Sequence, residues 1–430
     1  MIKKSVSLGI VLALTISVLA GCKSVKQVAS NQASDGGQKQ VTIKYASWMS
    51  KGEDKPILDA FMKANPNIKV EDEVIDGTQY DKLMKTRILS GDAPDVFLFQ
   101  PTEYQPFVKE SFLMDVTNEI GTAALVKNPA VVEYFKVNGK IYGNIVNGDI
   151  SIPAVYYNKK YFSRLAISPP TTVDEFLTAC EKIKADGKEP LVFGGKDRWP
   201  VDFFFRSKAF TGKLKDNSQW GLSLYKGDLK SSQFYKGELD FVSNLVQKGY
   251  IGKACLTLTY DQSVQYFADG KAAMLPQGTW IPSLDTIKNA KDLDLGCFVL
   301  PTPDKFAMAE VDRSIGISAK TKYPQEAKKL YNFFMDQNNL KGYLEGQSLT
   351  TLLKVDYKVD PAIADYVKNL YNPDNHTAIL NQKATITPAF SDATQNAYVN
   401  ILAGSTVDSE LKKLDQEFEK TKAQMAITGN

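Results

Sequence analysis

From Val41 onward the chain alternates short apolar runs with stretches in which apolar residues recur every three or four positions. Val41–Trp48 (VTIKYASW) has the period-two pattern of a half-covered strand. From about Pro56, the residues Ile57, Leu58, Phe61 and Met62 share one helical face. Asn65-Pro66 should stop that helix, because the ring of a proline disfavours helical backbone in the residue before it. Ile68–Val70 begins a second strand. Thr78 with Asp81 predicts a cap for a helix carrying Leu83, Met84, Arg87 and Ile88, closed at Gly91. Pro94-Asp-Val-Phe-Leu-Phe-Gln-Pro101 is an apolar run fenced by prolines, as expected of a strand covered on both faces in a parallel sheet. Strand, helix, strand, helix, strand is the order of an α/β layer fold.

The alternation resumes downstream. Ile152–Tyr157 reads as a strand. Thr172-Val-Asp-Glu175 is a capping box opening a helix with Val173, Phe176, Leu177, Cys180 and Ile183 inward, which makes Cys180 a small core residue. Phe241–Val246, Tyr260–Phe267 and Ala327–Phe334 predict further amphipathic helices. The tail Val407–Met425 predicts a charged one, with Leu411, Leu414 and Phe418 inward. No segment repeats at 20–50 residues, which argues against a solenoid or propeller.

The first forty residues follow a different pattern. Lys3 and Lys4 precede an apolar run, Leu8–Leu19, too short for a comfortable membrane span and suited to a signal-peptide core. Leu19-Ala20-Gly21-Cys22 follows and resembles the lipobox of bacterial lipoprotein signals. The resemblance implies a signal peptide at 1–21, cleavage after Gly21 and acylation of Cys22. Residues 22–40, polar and rich in Ser, Gln and Gly, read as a flexible linker behind the lipid. The expected location is the extracytoplasmic face of a bacterial membrane, held there by lipid.

Composition removes several functions. Formal net charge is +3, and +1 once Lys3 and Lys4 leave with the signal, so the global basic field usual for nucleic-acid binding is missing. The chain has one histidine, His376, in the turn-like Asn372-Pro-Asp-Asn-His376, a poor setting for nucleophilic catalysis. Four cysteines leave three besides Cys22, namely Cys180, Cys255 and Cys297, enough for one disulfide at most. Metal sites built on His and Cys are thereby disfavoured. Asp292-Leu-Asp294-Leu-Gly296 suggests a calcium loop only faintly, since a later acidic ligand is missing, and reads better as a turn into a strand. No metal or cofactor is expected.

Four stretches, in order, resemble the family 1 extracellular solute-binding proteins of ABC importers, which include maltose- and oligosaccharide-binding proteins. They are Gly91-Asp-Ala-Pro-Asp-Val-Phe97, then Gly139-Lys-Ile-Tyr-Gly143 with Tyr157-Asn-Lys159 and Pro170–Phe176, then Phe267–Met274 with Gly278-Thr-Trp280, and last Ala327–Phe334. Val173 departs from the pattern, standing where Trp is common. The resemblance runs from about Val41 to Met425. It implies a two-lobed, periplasmic-binding-protein-like fold of type II, each lobe a mixed, mostly parallel sheet flanked by helices, with ligand between the lobes. Residues 41–148 with 313–365 would form lobe 1, and 149–312 with 366–430 lobe 2. The chain would cross near Asn147–Ile152, Asp304–Arg313 and Asp360–Tyr371.

A sugar asks for aromatic planes against its C–H faces and for carboxylates, amides or Arg around its hydroxyls. Trp48 and Phe99 end strands and point to a cleft mouth; the resemblance adds an aromatic contact at Phe99, a polar one near Glu103 and a stacking residue at Trp280. Asp197-Arg-Trp199-Pro groups an aromatic with charges, and Asp149 and Arg313 flank crossings. Phe390 is a weaker candidate. The expected function is therefore that of a monomeric binding component, not an enzyme, which captures an oligosaccharide and delivers it to an ABC permease. The alternatives are the same fold with a polyamine, an anion or an iron chelate, and a surface glycosidase, for which no carboxylate pair stands out.

Overall fold

The computed structural model describes residues 40–49, 53–119, 135–150, 154–209, 219–301, 307–309, 311–348, 355–364, 366–367, 377–379 and 384–427. The signal and linker, Cys22 and His376 among them, lie outside this set. Among the described residues no helix is long and apolar enough to cross a membrane.

Two sheets organise the body. The first has the order Ile68–Val74, Val41–Ser47, Val96–Phe99, Val311–Ile317, Asn144–Ile150. Val41–Ser47 pairs in parallel with both of its neighbours, in register Val41 with Ile68 and Tyr45 with Val96. Val311–Ile317 runs against the other strands, pairing Gly316 with Phe97. The second sheet has the order Leu295–Val299, Ala154–Asn158, Ala272–Gln277, Glu189–Leu191, with Ala154–Asn158 reversed and the last pair parallel. Each sheet is thus mixed, and helices flank both.

Burial follows the pattern of the sequence. Ile43 and Tyr45 are buried while Thr42 is exposed and Lys44 half-buried, and all four residues of Val96–Phe99 are buried, as expected of a central strand. Helix Lys55–Ala64 turns Ile57, Leu58 and Phe61 inward. In helix Gly77–Ser90 the buried face is Tyr80, Met84 and Ile88. Strict four-residue spacing from Tyr80 leaves Leu83 off that stripe and 42% exposed. The helix begins at Gly77, so Thr78 lies within it and not at the cap position. The capping box at Thr172 is present: its hydroxyl accepts from the Glu175 amide, while Glu175 accepts from the Thr172 amide. Cys180, Cys255 and Cys297 are free thiols; Cys180 and Cys255 are buried, and burial pushes the Cys255 thiol up to about 12.

The chain leaves the first sheet at Ile150 and enters the second at Ala154; it leaves the second at Val299 and rejoins the first at Val311. Thr377–Ile379 pairs in parallel with Ala307–Ala309, while much of the expected third crossing near Asp360–Tyr371 lies outside the described residues. The chain continues to helices Pro388–Leu402 and Val407–Thr421, which pack on Ser231–Gln247 beside the second sheet. Asp415 fixes that packing by accepting from the Ser231 hydroxyl (2.6 Å) and the Ser232 amide (2.8 Å). The Asp292–Gly296 segment is a turn into its strand, where the carbonyls of Asp292 and Asp294 accept from the Asn158 side chain and the Lys159 amide.

Candidate ligand-binding cleft

Ligands of open α/β sheets gather beyond the carboxyl ends of strands. In the first sheet these ends lead to Trp48, to Ile75–Asp76 and to Gln100–Glu103. In the second, Glu189–Leu191 leads to Gly194–Trp199, and Ala272–Gln277 leads to Gly278–Trp280.

The second wall is aromatic. Trp199 opens helix Trp199–Ala209, behind a tight turn at Gly195–Asp197 and Arg198 in left-handed backbone (φ 64°). Gly194 permits the turn to lie against the start of helix Tyr260–Ala268, since a Cβ there would stand 2.6 Å from the Tyr260 nitrogen. Asp197 accepts from that same amide at 2.7 Å, anchoring the helix N-terminus. Tyr260 then reaches Trp280, whose indole N–H donates to the Tyr260 hydroxyl at 2.8 Å. The Trp199 ring centre lies 5.1 Å from that of Tyr260 and 6.3 Å from that of Trp280, and Phe203 lies 5.8 Å from Trp280. Trp199 and Trp280 are half-buried, so part of each indole stays in reach of solvent while the rest packs on neighbouring rings. Buried aromatics in such offset and tilted arrangements stabilise one another by about 0.5–1.5 kcal/mol per pair, which holds the platform rigid.

The first wall is acidic. Trp48 is half-buried, its ring edge-on to Tyr80 at 5.0 Å, and Tyr80 in turn donates to the carbonyls of Ala46 (3.0 Å) and Leu98 (2.7 Å). Glu103 stands in the first turn of helix Pro101–Lys109 and is only 8% exposed. Its Oε2 has no hydrogen-bond partner among the described residues, and burial raises its pKa, with Lys85 opposing. Asp81 is exposed, yet its carboxyl is pushed up to about 6, first by desolvation, then by Glu103 and Asp392. Solvent contact together with desolvation describes a group on the wall of a narrow gap.

Three electrostatic couplings join the walls. Asp81 feels Asp392, Asp261 feels Asp76, and Tyr260 feels Glu53. Each raises the pKa of the group named first, behind desolvation as the larger cause. Groups at the carboxyl ends of the two sheets are thus near enough to sense one another's charge, with carboxylates on both sides and the larger set of rings on the second.

Of the residues expected at the cleft, Trp48, Glu103, Asp197, Trp199 and Trp280 stand at these carboxyl ends. Phe99 does not reach it. It is 2% exposed, stacked on Tyr104 at 6.0 Å and edge-on to Phe107 at 5.8 Å, because the helix after its strand folds back and roofs it. Phe390 is also core: it is fully buried, with Phe418 at 5.2 Å. Arg313 is 3% exposed and works beneath the cleft, where its Nη1 donates to the Tyr343 hydroxyl at 3.3 Å. Asp149 lies on strand Asn144–Ile150, but its side chain is outside the described residues. Sequence reasoning missed Tyr260, Phe203, Asp81, Asp261 and Asp392. Tyr260 had a local signal, since the capping box Thr259–Gln262 places it first in its helix.

Among the described residues no group of His, Cys, Asp and Glu could hold a metal ion. A separate depression of about 770 Å³, lined by Asn158, Tyr161, Lys188, Asp269 and Asp292 among others, lies at the amino end of Ala272–Gln277 and includes none of the cleft rings.

The profile of bacterial extracellular solute-binding proteins matches residues 44–337. The chain belongs to this family. It is an extracytoplasmic binding component, not an enzyme. The Multiple sugar-binding protein of Streptococcus mutans serotype c is 28% identical over 407 residues, covering 92% of this chain and 93% of that one. The solved structure of RafE in complex with raffinose superposes with a TM-score of 0.73 at 26% identity, covering 89% of this chain and 100% of that one. Ligand-free RafE from Streptococcus pneumoniae does so with 0.67 at 25% identity, covering 90% and 99%. These neighbours carry the two-lobed type II fold, which the two sheets of the present chain reproduce.

Asp81 gives the cleft a measurable pH signature. Its folded-state pKa stands above the ordinary 3.8, so the folded protein holds this proton more tightly than the unfolded chain does. The associated stability is present in acid and lost as pH rises through about 6. The denaturant midpoint should carry a falling component between pH 3.8 and about 6, and Asp81→Asn should remove it. An Asp81 carboxyl resonance titrating at the ordinary value would refute the assignment.

Proposed function

We propose that this protein captures an oligosaccharide between Trp48 and the Trp199–Tyr260–Trp280 platform and delivers it to the permease of an ABC importer. The carrying observation is the platform itself: half-buried rings, locked by a hydrogen bond, opposite carboxylates that accept from hydroxyls. Pyranose rings offer apolar C–H faces to such planes and hydroxyl hydrogens to such carboxylates. The names of the relatives support the reading, since they are sugar-binding proteins and one of them holds raffinose. Glu103, Asp197 and Asp149 are the proposed polar contacts, with Asp149 resting on its place beside a crossing. Residues 41–148 with 313–365 and 149–312 with 366–430 are the proposed lobes, whose hinge closure around ligand signals occupancy to the permease.

A thermal-shift screen of soluble protein beginning at Gln40 against an oligosaccharide panel tests this. A ligand confined to the folded state raises stability by about 2.7 kcal/mol at a hundredfold excess over Kd. No shift with any saccharide, alongside a shift with a polyamine or an anion, would replace the reading.

Cys22 is the proposed lipid anchor of a monomer. More than one acyl chain is needed for stable attachment, which is what acylation at such a cysteine supplies. Cys22→Ser should move the protein from the membrane fraction to the medium or periplasm. Acyl labelling that persists in this variant would disprove the anchor.

A further inference from the structure

The aromatic platform is aimed by a strained turn, and part of what restrains that turn lies on a distant helix. Arg198, the residue before Trp199, has φ 64° and ψ −49°, near the rare γ-turn of positive φ. Residues with a Cβ seldom adopt such backbone, and it persists only where the surroundings over-determine it. Some of the restraint is local. The Arg198 amide donates to the Gly195 carbonyl at 3.1 Å, and the Arg198 carbonyl accepts from the amides of Val201 (3.1 Å) and Asp202 (3.3 Å). The rest comes through the side chain. Its Nη1 donates to Asn396 Oδ1 at 2.9 Å, and its Nη2 lies 3.6 Å from Asp392 Oδ1. Both acceptors stand one turn apart on helix Pro388–Leu402, 198 residues along the chain in the case of Asn396. With the two side chains 41% and 62% exposed, the ion pair adds little to stability. What it supplies is direction, since a planar guanidinium reaching two acceptors on one helix face has a fixed orientation.

Trp199 is the residue so directed. Its ring centre lies 5.1 Å from that of Tyr260 and 6.3 Å from that of Trp280, and Pro200 after it restricts its backbone further. Rotation of φ at position 198 into the ordinary negative region would swing the indole away from both rings. We propose that Arg198 is the positioning residue of the platform: its guanidinium, held by Asn396 and Asp392, keeps the left-handed turn that lays Trp199 beside Tyr260 and Trp280. The inference rests on the saccharide reading above and adds a residue that acts through Trp199 without touching the ligand. Arg and Ala carry the same backbone cost at such a φ, whereas Gly carries none. Arg198→Ala therefore removes the clamp and leaves the strain, while Arg198→Gly removes both.

The test has one arm without ligand and one with it. Near-ultraviolet circular dichroism reads the coupling of Trp199 to its neighbouring rings, and Trp199→Phe marks the part of the spectrum that belongs to that indole. Arg198→Ala should lose most of that part, Arg198→Gly should keep most of it, and Asn396→Ala should fall between them. The denaturant midpoint of Arg198→Ala should move little, which separates reorientation from unfolding. The second arm is calorimetry with raffinose, stachyose, xylotetraose and maltotetraose. A saccharide that binds should bind Arg198→Ala about tenfold more weakly and Arg198→Gly less than about threefold more weakly. In a Trp199→Ala background, Arg198→Ala should cost no further affinity, because both changes act through one ring. Losses that add in the double variant, or Arg198→Gly as weak as Arg198→Ala, would mean that the guanidinium touches the ligand itself and would overturn the inference. So would an unaltered spectrum in Arg198→Ala. Failure of every saccharide to bind would sink the saccharide reading alone, and the spectrum would still decide whether Arg198 aims Trp199.

Discussion

Gly278→Ala is expected to cost as much ligand affinity as removing the Trp280 indole altogether. The indole folds back over Gly278, so that a Cβ there would fall among the Cζ3, Cη2 and Cε3 atoms of the six-membered ring. The ring is rigid and cannot bend aside as the tip of a lysine can. Its N–H is tied to the Tyr260 hydroxyl at 2.8 Å, and its flank packs on Phe203 and Trp199. A methyl group at position 278 must therefore expel the indole from the platform. Trp280→Ala should weaken oligosaccharide binding by about 1–3 kcal/mol, roughly ten- to a hundredfold, as aromatic anchors in desolvated pockets do. Gly278→Ala should match it, and the double variant should be no worse than either, because both act through one ring. Stability provides the control. A fully buried Trp loses about 3–5 kcal/mol on truncation, whereas a half-buried one facing a cleft should lose clearly less. Additive affinity losses in the double variant, or normal affinity with a collapsed denaturant midpoint, would show that Trp280 is structural.

The sequence carried the scaffold well because the scaffold depends on local rules. A proline-fenced apolar run made a buried strand at Val96–Phe99, and Thr172 capped its helix through the box read from Thr-x-x-Glu. The cleft was less legible, for a physical reason. In a strand buried on both faces, alternation no longer tells inside from outside, so Phe99 looked like a mouth residue although Tyr104 and Phe107 of the next helix cover it. Phe390 failed in the same way: Thr387 caps its helix, but only packing against Phe418 shows which way the ring points. Trp280 was singled out through the resemblance at Gly278-Thr-Trp280, and the structure sets it after the strand Ala272–Gln277 and that glycine. Its partners Tyr260 and Phe203 were not singled out, since no spacing along the chain joins residues that meet only in three dimensions. Asp81 was read as a helix-start signal, and its raised pKa, set first by desolvation and then by Glu103 and Asp392, has no signal along the chain.

Arg313 illustrates the largest revision and supports the last prediction. A charge beside a crossing strand suggested contact with sugar hydroxyls, but the structure buries it in a chain of hydrogen bonds. Its Nη1 donates to the Tyr343 hydroxyl (3.3 Å), Tyr343 donates to Asp54 Oδ1 (3.0 Å), and Tyr45 donates to Asp54 Oδ2 (2.9 Å). This network fastens helix Gln337–Gly346 and the start of helix Lys55–Ala64 to the strands Val41–Ser47 and Val311–Ile317. Burial raises the Asp54 pKa, while the bond from Tyr45 and the charge of Arg313 pull it down, so the guanidinium helps to keep a buried carboxylate ionised. Removing one partner of such a pair strands the other and typically costs about 3–5 kcal/mol, a large part of the total stability of a domain. Arg313→Met, close in volume, should therefore lower the denaturant midpoint by an amount of that order. Asp54→Asn combined with Arg313→Met should lose less than the separate losses added together, because the double variant leaves no orphan charge. Affinity in the surviving folded fraction should change little, since the guanidinium is 3% exposed and turned away from solvent. A variant of unchanged stability that binds oligosaccharide tenfold more weakly would return Arg313 to the ligand, and the network would then be a consequence of the site and not its foundation.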